Sequence, residues 1–210
     1  MSWTKPPHGG GFFVYWAMQI ASHSPEGLAG PDADAVHAAH DRALRMVEED
    51  ASLRDILWHL ANTVEEVSQG RTVASILLLD DEGLLRNGAS PSLPADYLAA
   101  IDRLKPDANL GTCAAAAATG ETVFTPSFYD DCRWAELRHL PLALGFLGAW
   151  SMPIKAADGR VLGTFGTYFR EHRWPTPQEL EAVTLLVSAA ALAIAASGCG
   201  AGAARAVGEA

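Results

Sequence analysis

The sequence predicts an α+β domain built around one antiparallel sheet. Long helices are expected towards both ends of the chain, and two pairs of β-favouring runs, each joined by a tight turn, lie between them. Hairpins of this kind do not need the crossover helices that parallel strands require. Helices that are segregated from an antiparallel sheet are typical of the α+β class.

The composition predicts one domain with an extension at each end. The chain has 210 residues, of which 49% are hydrophobic, and 15 basic against 25 acidic residues give a net charge of −10. A chain of this size buries enough surface for one core. Residues 1–30, rich in Gly, Pro and Ser around an apolar run at 12–21, are predicted to be a flexible extension. We expect the domain at 31–197 and a flexible Gly/Ala tail at 198–210.

Two helices are predicted before the first strand. The spacing of apolar side chains between Val36 and Val47 indicates an amphipathic helix over 34–49. Ser52 and Asp55 have the spacing of a capping box and predict the start of a second helix. Gly70 is suited to end it, because glycine adopts the left-handed conformation of a helix C-terminus without strain.

Two hairpins are predicted from pairs of β-favouring runs that are separated by turn residues. Residues 73–79 and 84–90 flank an Asp-Asp-Glu-Gly turn, and residues 148–155 and 161–169 flank Ala-Asp-Gly. The second pair is rich in glycine. A glycine inside a strand often marks close approach of a ligand or of another backbone.

The remaining elements are short, except for the last helix. A helix over 94–103 can begin at its proline, an alanine-rich helix over 114–118 precedes a glycine, and 123–125 is a short strand. Thr176 and Glu179 form a capping box for a long apolar C-terminal helix, which is predicted to be buried.

Composition and cysteine spacing restrict the binding partners of the protein and the cellular compartment in which it is expected. The acidic balance argues against nucleic acid, whose phosphates need basic partners. The apolar run at 12–21 is ten residues long and therefore too short to cross a bilayer, so no membrane association is predicted. Three cysteines without a CxxC pair indicate a reducing compartment, and we expect a cytoplasmic protein. No cofactor or metal motif is evident.

The residues with reactive, polar or aromatic side chains favour a ligand pocket over a catalytic centre. Cys113 stands at a helix start, where the free N–H groups favour a thiolate, and Cys132 lies between carboxylates and an arginine. Thr112, at the same helix start, offers a donor to a ligand. Aromatic side chains close to the strand glycines suit a small-molecule pocket, and the same residues would also suit a plain core. These aromatic residues are Trp134, Phe146 and Trp150.

In this order, the motifs resemble a GAF domain from about residue 34 to residue 197. The resemblance rests on VASILLLDDEGLLRNGASPSLPADYLAAID, GTCAAAAATGETV, DDCRWAELR, WSMPI, DGRVLGTFGTYFR and RWPTPQELE. It implies a sheet of five to six strands with the N- and C-terminal helices on one face and a pocket under loops and short helices on the other. It also implies a sensory module of bacterial signalling, dimerisation through those helices and an output partner such as a histidine kinase.

The ligand site expected from these arguments contains eight residues, and its ligand is unknown. They are Thr112, Cys113, Asp130, Trp134, His139, Phe146, Trp150 and Phe165. The chain has Leu147 where such modules commonly have an arginine, and it lacks the Cys-His dipeptide of bilin-binding modules. Two alternatives stay open: a thiol enzyme similar to free methionine-(R)-sulfoxide reductases, using Cys113 and Cys132, and a dimerisation scaffold without a ligand.

Overall fold

The computed structural model describes residues 31–198, and it confirms the predicted α+β class. The helices are α1 Pro31–Glu48, α2 Leu53–Val67, α3 Ala95–Ala100, α4 Cys113–Thr119, α5 His139–Ala143 and α6 Pro177–Ala196. The strands are β1 Thr72–Leu79, β2 Leu85–Ala89, β3 Val123–Thr125, β4 Gly148–Lys155 and β5 Val161–Phe169. A single 3₁₀ turn, Cys132–Trp134, precedes α5.

Among the described residues the strands form one antiparallel sheet of five, in the order β2-β1-β5-β4-β3. Both predicted hairpins are present, and β1 and β5, which are far apart in sequence, pair along seven residues from Thr72↔Phe169 to Leu78↔Gly163. The sheet therefore places the last strand at its centre.

Each face of the sheet has its own core. Helices α1, α2 and α6 cover one face, here called the helix face, where Ile76, Phe165 and Leu186 are fully buried. Helices α3 to α5 and their connecting loops cover the other, here called the loop face, where Phe128 and Tyr168 are buried. This two-sided cover agrees with the expected architecture.

The local signals explain where most elements begin and end. The Ser52 side chain accepts a hydrogen bond from the Asp55 backbone N–H at 3.1 Å, and the full capping box of Thr176 and Glu179 is formed. Several details differ from expectation: α1 begins three residues earlier than predicted, at Pro31, and α3 ends three residues earlier, at Ala100. Helix α2 ends at Val67 rather than Gly70, because Gln69 already adopts a positive φ of 55°. Helix α5 is not among the elements predicted from the sequence.

Helix α6 is long and apolar enough to span a bilayer by length and composition, with a mean hydropathy of 1.8 in its most apolar window. One side of it packs on the sheet and on α1, and its buried residues include Val183, Leu186 and Ile194. This burial agrees with the predicted core helix. Its opposite side stays accessible, with Leu192 55% exposed.

The glycines of β5 allow close approach, as the sequence predicted. A Cβ atom built on Gly163 would lie 2.2 Å from the carbonyl oxygen of Leu77. One built on Gly166 would lie 2.8 Å from the Sγ atom of Cys113. The first glycine lets two backbones meet, and the second makes room for a thiol on the loop face.

Candidate functional site

The alternation of side chains along β4 and β5 separates the expected pocket residues into two groups. Trp134 and Phe146 belong to the core of the loop face, and Cys113 packs against that core. Trp150 and Phe165 belong to the core of the helix face. The structure therefore does not bring Trp150 and Phe165 together with the other expected residues, because successive side chains of a strand point to opposite faces.

Three further residues singled out from the sequence lie at the surface. Asp130, Cys132 and His139 are exposed. The acidic residue of this segment that is partly buried is instead Asp131, whose side chain is 13% exposed. The expectation that Asp130 and His139 line the pocket with Trp134 is therefore not met in this structure.

The Cys113 side chain lies against the middle of the loop face. Its thiol faces Gly166 and the hydroxyl groups of Ser151 and Thr164. Burial raises the pKa of the Cys113 thiol, and hydrogen bonds with the two hydroxyls offset part of that rise. Apart from this approach to the thiol, Thr164 Oγ1 has no hydrogen-bond partner among the described residues. A buried hydroxyl with spare hydrogen-bonding capacity therefore lies beside the cysteine.

Two tyrosines continue this polar patch. The hydroxyl groups of Tyr97 and Tyr168 are 3.1 Å apart, and their rings meet edge to face. Burial raises the pKa of both phenols above the ordinary value, so both stay neutral near pH 7. Phe146 packs against Tyr168 with ring centroids 5.2 Å apart, and the Arg170 guanidinium lies 4.8 Å from the Phe146 centroid.

A chain of hydrogen bonds connects the start of α4 to the loop that covers it. Trp134 Nε1 donates to Thr112 Oγ1 at 2.9 Å, and the Thr112 hydroxyl donates to Thr125 Oγ1 at 3.4 Å. The Thr125 hydroxyl donates to Asp131 Oδ2 at 2.7 Å. Every polar side chain in this series of hydrogen bonds has a partner. The series therefore holds the loop that contains Trp134 and Asp131 against the edge of the sheet.

The chain of hydrogen bonds ends on an ion pair. Arg133 binds Asp131 through two nitrogen atoms, with Nη2–Oδ2 and Nε–Oδ1 distances of 2.6 and 3.0 Å. Partial burial acts to raise the pKa of Asp131, but hydrogen bonds from Arg133 and Thr125 outweigh it, and the pKa lies below the ordinary value. Asp131 is therefore a carboxylate near neutral pH, and Arg133 neutralises it.

These properties suit binding better than thiol catalysis. An attacking cysteine must be a thiolate that a solvent-borne substrate can reach. Cys113 is covered and its pKa is raised, whereas Cys132 is exposed at the surface. A neutral thiol, neutral phenols and hydroxyls can orient a polar group of a ligand within an apolar layer.

The two cysteines are expected to differ in reactivity. Brief treatment of the native full chain with iodoacetamide should alkylate Cys132 at least tenfold faster than Cys113, because the Cys113 thiol is covered and protonated. Peptide-level mass spectrometry measures each site separately. Alkylation in denaturant, where both sites should react alike, is the control. Equal native rates would contradict the burial of Cys113.

One antiparallel sheet of five strands, with three helices on one face and short helices and loops on the other, defines the α+β class of the described residues. The GAF domain family model matches residues 50–195, and the chain belongs to the GAF domain family. The chain is 34% identical over 152 residues to a methyl sulfide methyltransferase-associated sensor from Methanosarcina acetivorans. That alignment covers 72% of this chain and 15% of the relative. The family and this relative support a sensory signalling domain.

Solved structures share the fold at lower identity. The GAF domain of a phosphoenolpyruvate-protein phosphotransferase from Coxiella burnetii is 19% identical, with a TM-score of 0.62, 82% of this chain covered and 99% of that one. A free methionine-R-sulfoxide reductase from Neisseria meningitidis, in complex with its substrate, is 17% identical, with a TM-score of 0.60 and coverage of 83% and 97%. These likenesses show the fold alone.

Sequence reasoning missed the residues that complete the loop-face patch. Ser151 and Thr164 alternate with the large aromatic residues of their strands, and Tyr168 follows Thr164 with the same parity. Strict alternation from Gly166, once it is placed opposite Cys113, would have selected Thr164 and Tyr168 and rejected Phe165. The signal that was needed is therefore the alternation of side chains between the two sheet faces. It can be used only once one residue of the strand is known to face the helices and loops of the loop face.

Proposed function

We propose that this chain is a sensory GAF domain that binds a small molecule on the loop face, beside Cys113. The observation that carries the proposal is the polar patch of Cys113, Ser151, Thr164, Tyr97 and Tyr168 within an otherwise apolar layer. A few polar groups among apolar walls are typical of ligand sites. The ligand is of neutral polar character, since the patch has no fixed charge.

The mode of signalling follows from the shared sheet. A ligand that separates α4 and the loops of the loop face from β5 would displace the backbone of β5. Thr164 and Phe165 are neighbours in this strand and point to opposite faces, so both side chains would move together. Phe165 is fully buried beneath α1, α2 and α6. A change on the loop face would therefore reach the helices, and through them a partner such as a histidine kinase in the cytoplasm.

Occupancy of the full chain tests the binding site. Native mass spectrometry of the freshly purified protein should reveal a bound mass, and Thr164→Val should lower its occupancy. Loss of one hydrogen bond in a buried site corresponds to about 1 kcal/mol, or roughly fivefold in affinity. Thr119→Val is the matched control, since this exposed threonine lies at the C-terminal end of α4. A chain that carries no added mass, and gains no stability from a metabolite extract, would refute the proposal.

The accessible side of α6 is the proposed dimer contact. Leu192 is 55% exposed, and Thr184 and Ser188 lie on the same side at four-residue spacing. Burying this side against a second copy removes apolar surface from water. Leu192→Glu should convert the dimer into a monomer in light scattering coupled to size exclusion. Tyr129→Glu, at the 58% exposed Tyr129, is the control and should leave the mass unchanged. A full chain that is monomeric at all concentrations would overturn this contact.

A further inference from the structure

A groove on the helix side of the molecule is separate from the patch beside Cys113. It lies where the start of α1, the end of α2 and the start of α6 meet the edge of the helix face, and its volume is about 610 Å³. Sites for small ligands or anchoring side chains have volumes of about 300–1,000 Å³. Its apolar wall consists of Val36, Val64, Val67, Trp150, Ala182 and Val183.

Two buried polar atoms in this wall have no partner among the described residues. They are the indole Nε1 of Trp150 and Oγ1 of Thr72, and the two residues are 1% and 3% exposed. A buried polar group without a hydrogen bond costs about 1–3 kcal/mol. The groove therefore suits an occupant that has apolar side chains and also brings hydrogen-bonding groups, as a peptide backbone does.

The charged rim does not offer an anion site. Arg173 is held by two hydrogen bonds of 2.7 Å to Glu179, and its guanidinium lies 3.6 Å from the centroid of the Phe169 ring. Arg170 Nη1 donates to the Leu144 carbonyl oxygen at 2.6 Å, and Arg71 Nε donates to Ser68 O. Because the rim arginines already have acceptors, they give no strong preference for a phosphate or carboxylate.

Helix α1, which directly follows residues 1–30 in the sequence, begins at this groove. Asp32, in the first turn of α1, belongs to the groove wall. Residues 12–21, FFVYWAMQIA, contain nine apolar residues out of ten and are separated from α1 by the nine residues SHSPEGLAG. Nine residues with random-coil dimensions have an average end-to-end distance of roughly 15–18 Å. Such a tether raises the local concentration of the run to about the millimolar range.

We propose that residues 12–21 dock in this groove of the same chain. The aromatic side chains of the run cover the valines and Trp150, and its backbone carbonyl groups accept the hydrogen bond that Trp150 Nε1 offers. The docked run contacts α1, α2 and α6 together. Its release or docking would then change how these three helices are held, from the side of the sheet opposite the proposed ligand site.

Site-specific cross-linking of the full chain tests the docking. Trp16→p-benzoylphenylalanine, irradiated at low protein concentration, should cross-link within one chain to peptides from 64–72 or 178–183. Trp3→p-benzoylphenylalanine, which places the same probe outside the run, is the matched control and should give at least fivefold less of these products. Cross-links between chains would replace the proposal with a contact to a second copy, and cross-links elsewhere in the chain would refute it.

Hydrogen exchange gives an independent measurement. Amides of residues 12–21 should exchange at least tenfold more slowly than in a synthetic peptide of residues 8–23, and Ala182→Trp, which fills the groove, should abolish the difference. Thermal unfolding verifies that this variant is folded. A small molecule seen by native mass spectrometry and lost in Ala182→Trp, with fast exchange at 12–21, would overturn the proposal. Thr164→Val should not affect the exchange, which separates this test from that of the loop-face site.

Discussion

Gly163→Ala should destabilise the domain by about 3 kcal/mol, the largest effect expected of a single methyl group in this chain. The added Cβ atom would lie 2.2 Å from the carbonyl oxygen of Leu77 and 3.1 Å from Cα of Leu78. Both are backbone atoms of the neighbouring strand β1, so no side-chain rotation can relieve the contact. The strands must separate, and the ladder between β1 and β5 is weakened.

Thermal unfolding followed by circular dichroism measures this effect as a decrease of roughly 6–12 °C in Tm. The control is Gly159→Ala in the turn between β4 and β5, where a Cβ atom meets no other atom within 4 Å but φ is +85°. That substitution should cost only about 1 kcal/mol of backbone strain. Equal stability of the two variants would contradict the close approach at Gly163.

Asp131→Ala should lower the free energy of unfolding by about 2 kcal/mol. The substitution removes the last acceptor of the series of hydrogen bonds and leaves the Arg133 charge without its carboxylate. Arg133 loses its two-nitrogen contact, and the Thr125 hydroxyl loses its acceptor beneath the cover. Urea unfolding of the full chain measures the difference. Asp130→Ala, at the exposed neighbouring carboxylate, is the matched control and should change stability by less than about 0.5 kcal/mol.

The effect of Asp131 should depend on pH in a defined direction. Its pKa is lower in the folded chain than the ordinary value of 3.8, so its stabilising contribution is complete at neutral pH. The contribution is lost as the pH falls through the folded-state pKa. The difference in unfolding free energy between the wild type and Asp131→Ala should be constant from pH 6 to 8 and smaller below about pH 4. A difference that grows on acidification would contradict the ion pair with Arg133.

Much of the fold follows from local sequence chemistry. Strands β4 and β5 occupy the predicted residues, and the capping box of Thr176 and Glu179 opens α6 as expected. Gly120, with φ of 66°, ends α4. These features depend on nearest neighbours, since caps, turns and runs of β-favouring residues act over a few positions. Helix α5, which lacks a side-chain cap and contains a proline, carried no such signal.

The candidate site was less predictable, because it depends on which side of the sheet a residue faces. Trp134 and Phe146 lie on the loop face, whereas Trp150 and Phe165, equally aromatic, lie on the helix face. Asp131 rather than Asp130 reaches the interior, and a one-residue choice of this kind is decided by the turn that precedes it. Composition cannot distinguish such neighbours.

The sequence by itself determined the α+β class, the order of most elements, the glycines of close approach and the membership of a family of sensory domains. These depend on patterns that persist along the chain. Only the tertiary structure decided that Cys113 faces Gly166, Ser151 and Thr164, and that Trp150 lines a groove on the opposite side. The physical reason is that the pairing of β1 with β5, residues distant in sequence, sets the register, and the register assigns every side chain to one face or the other.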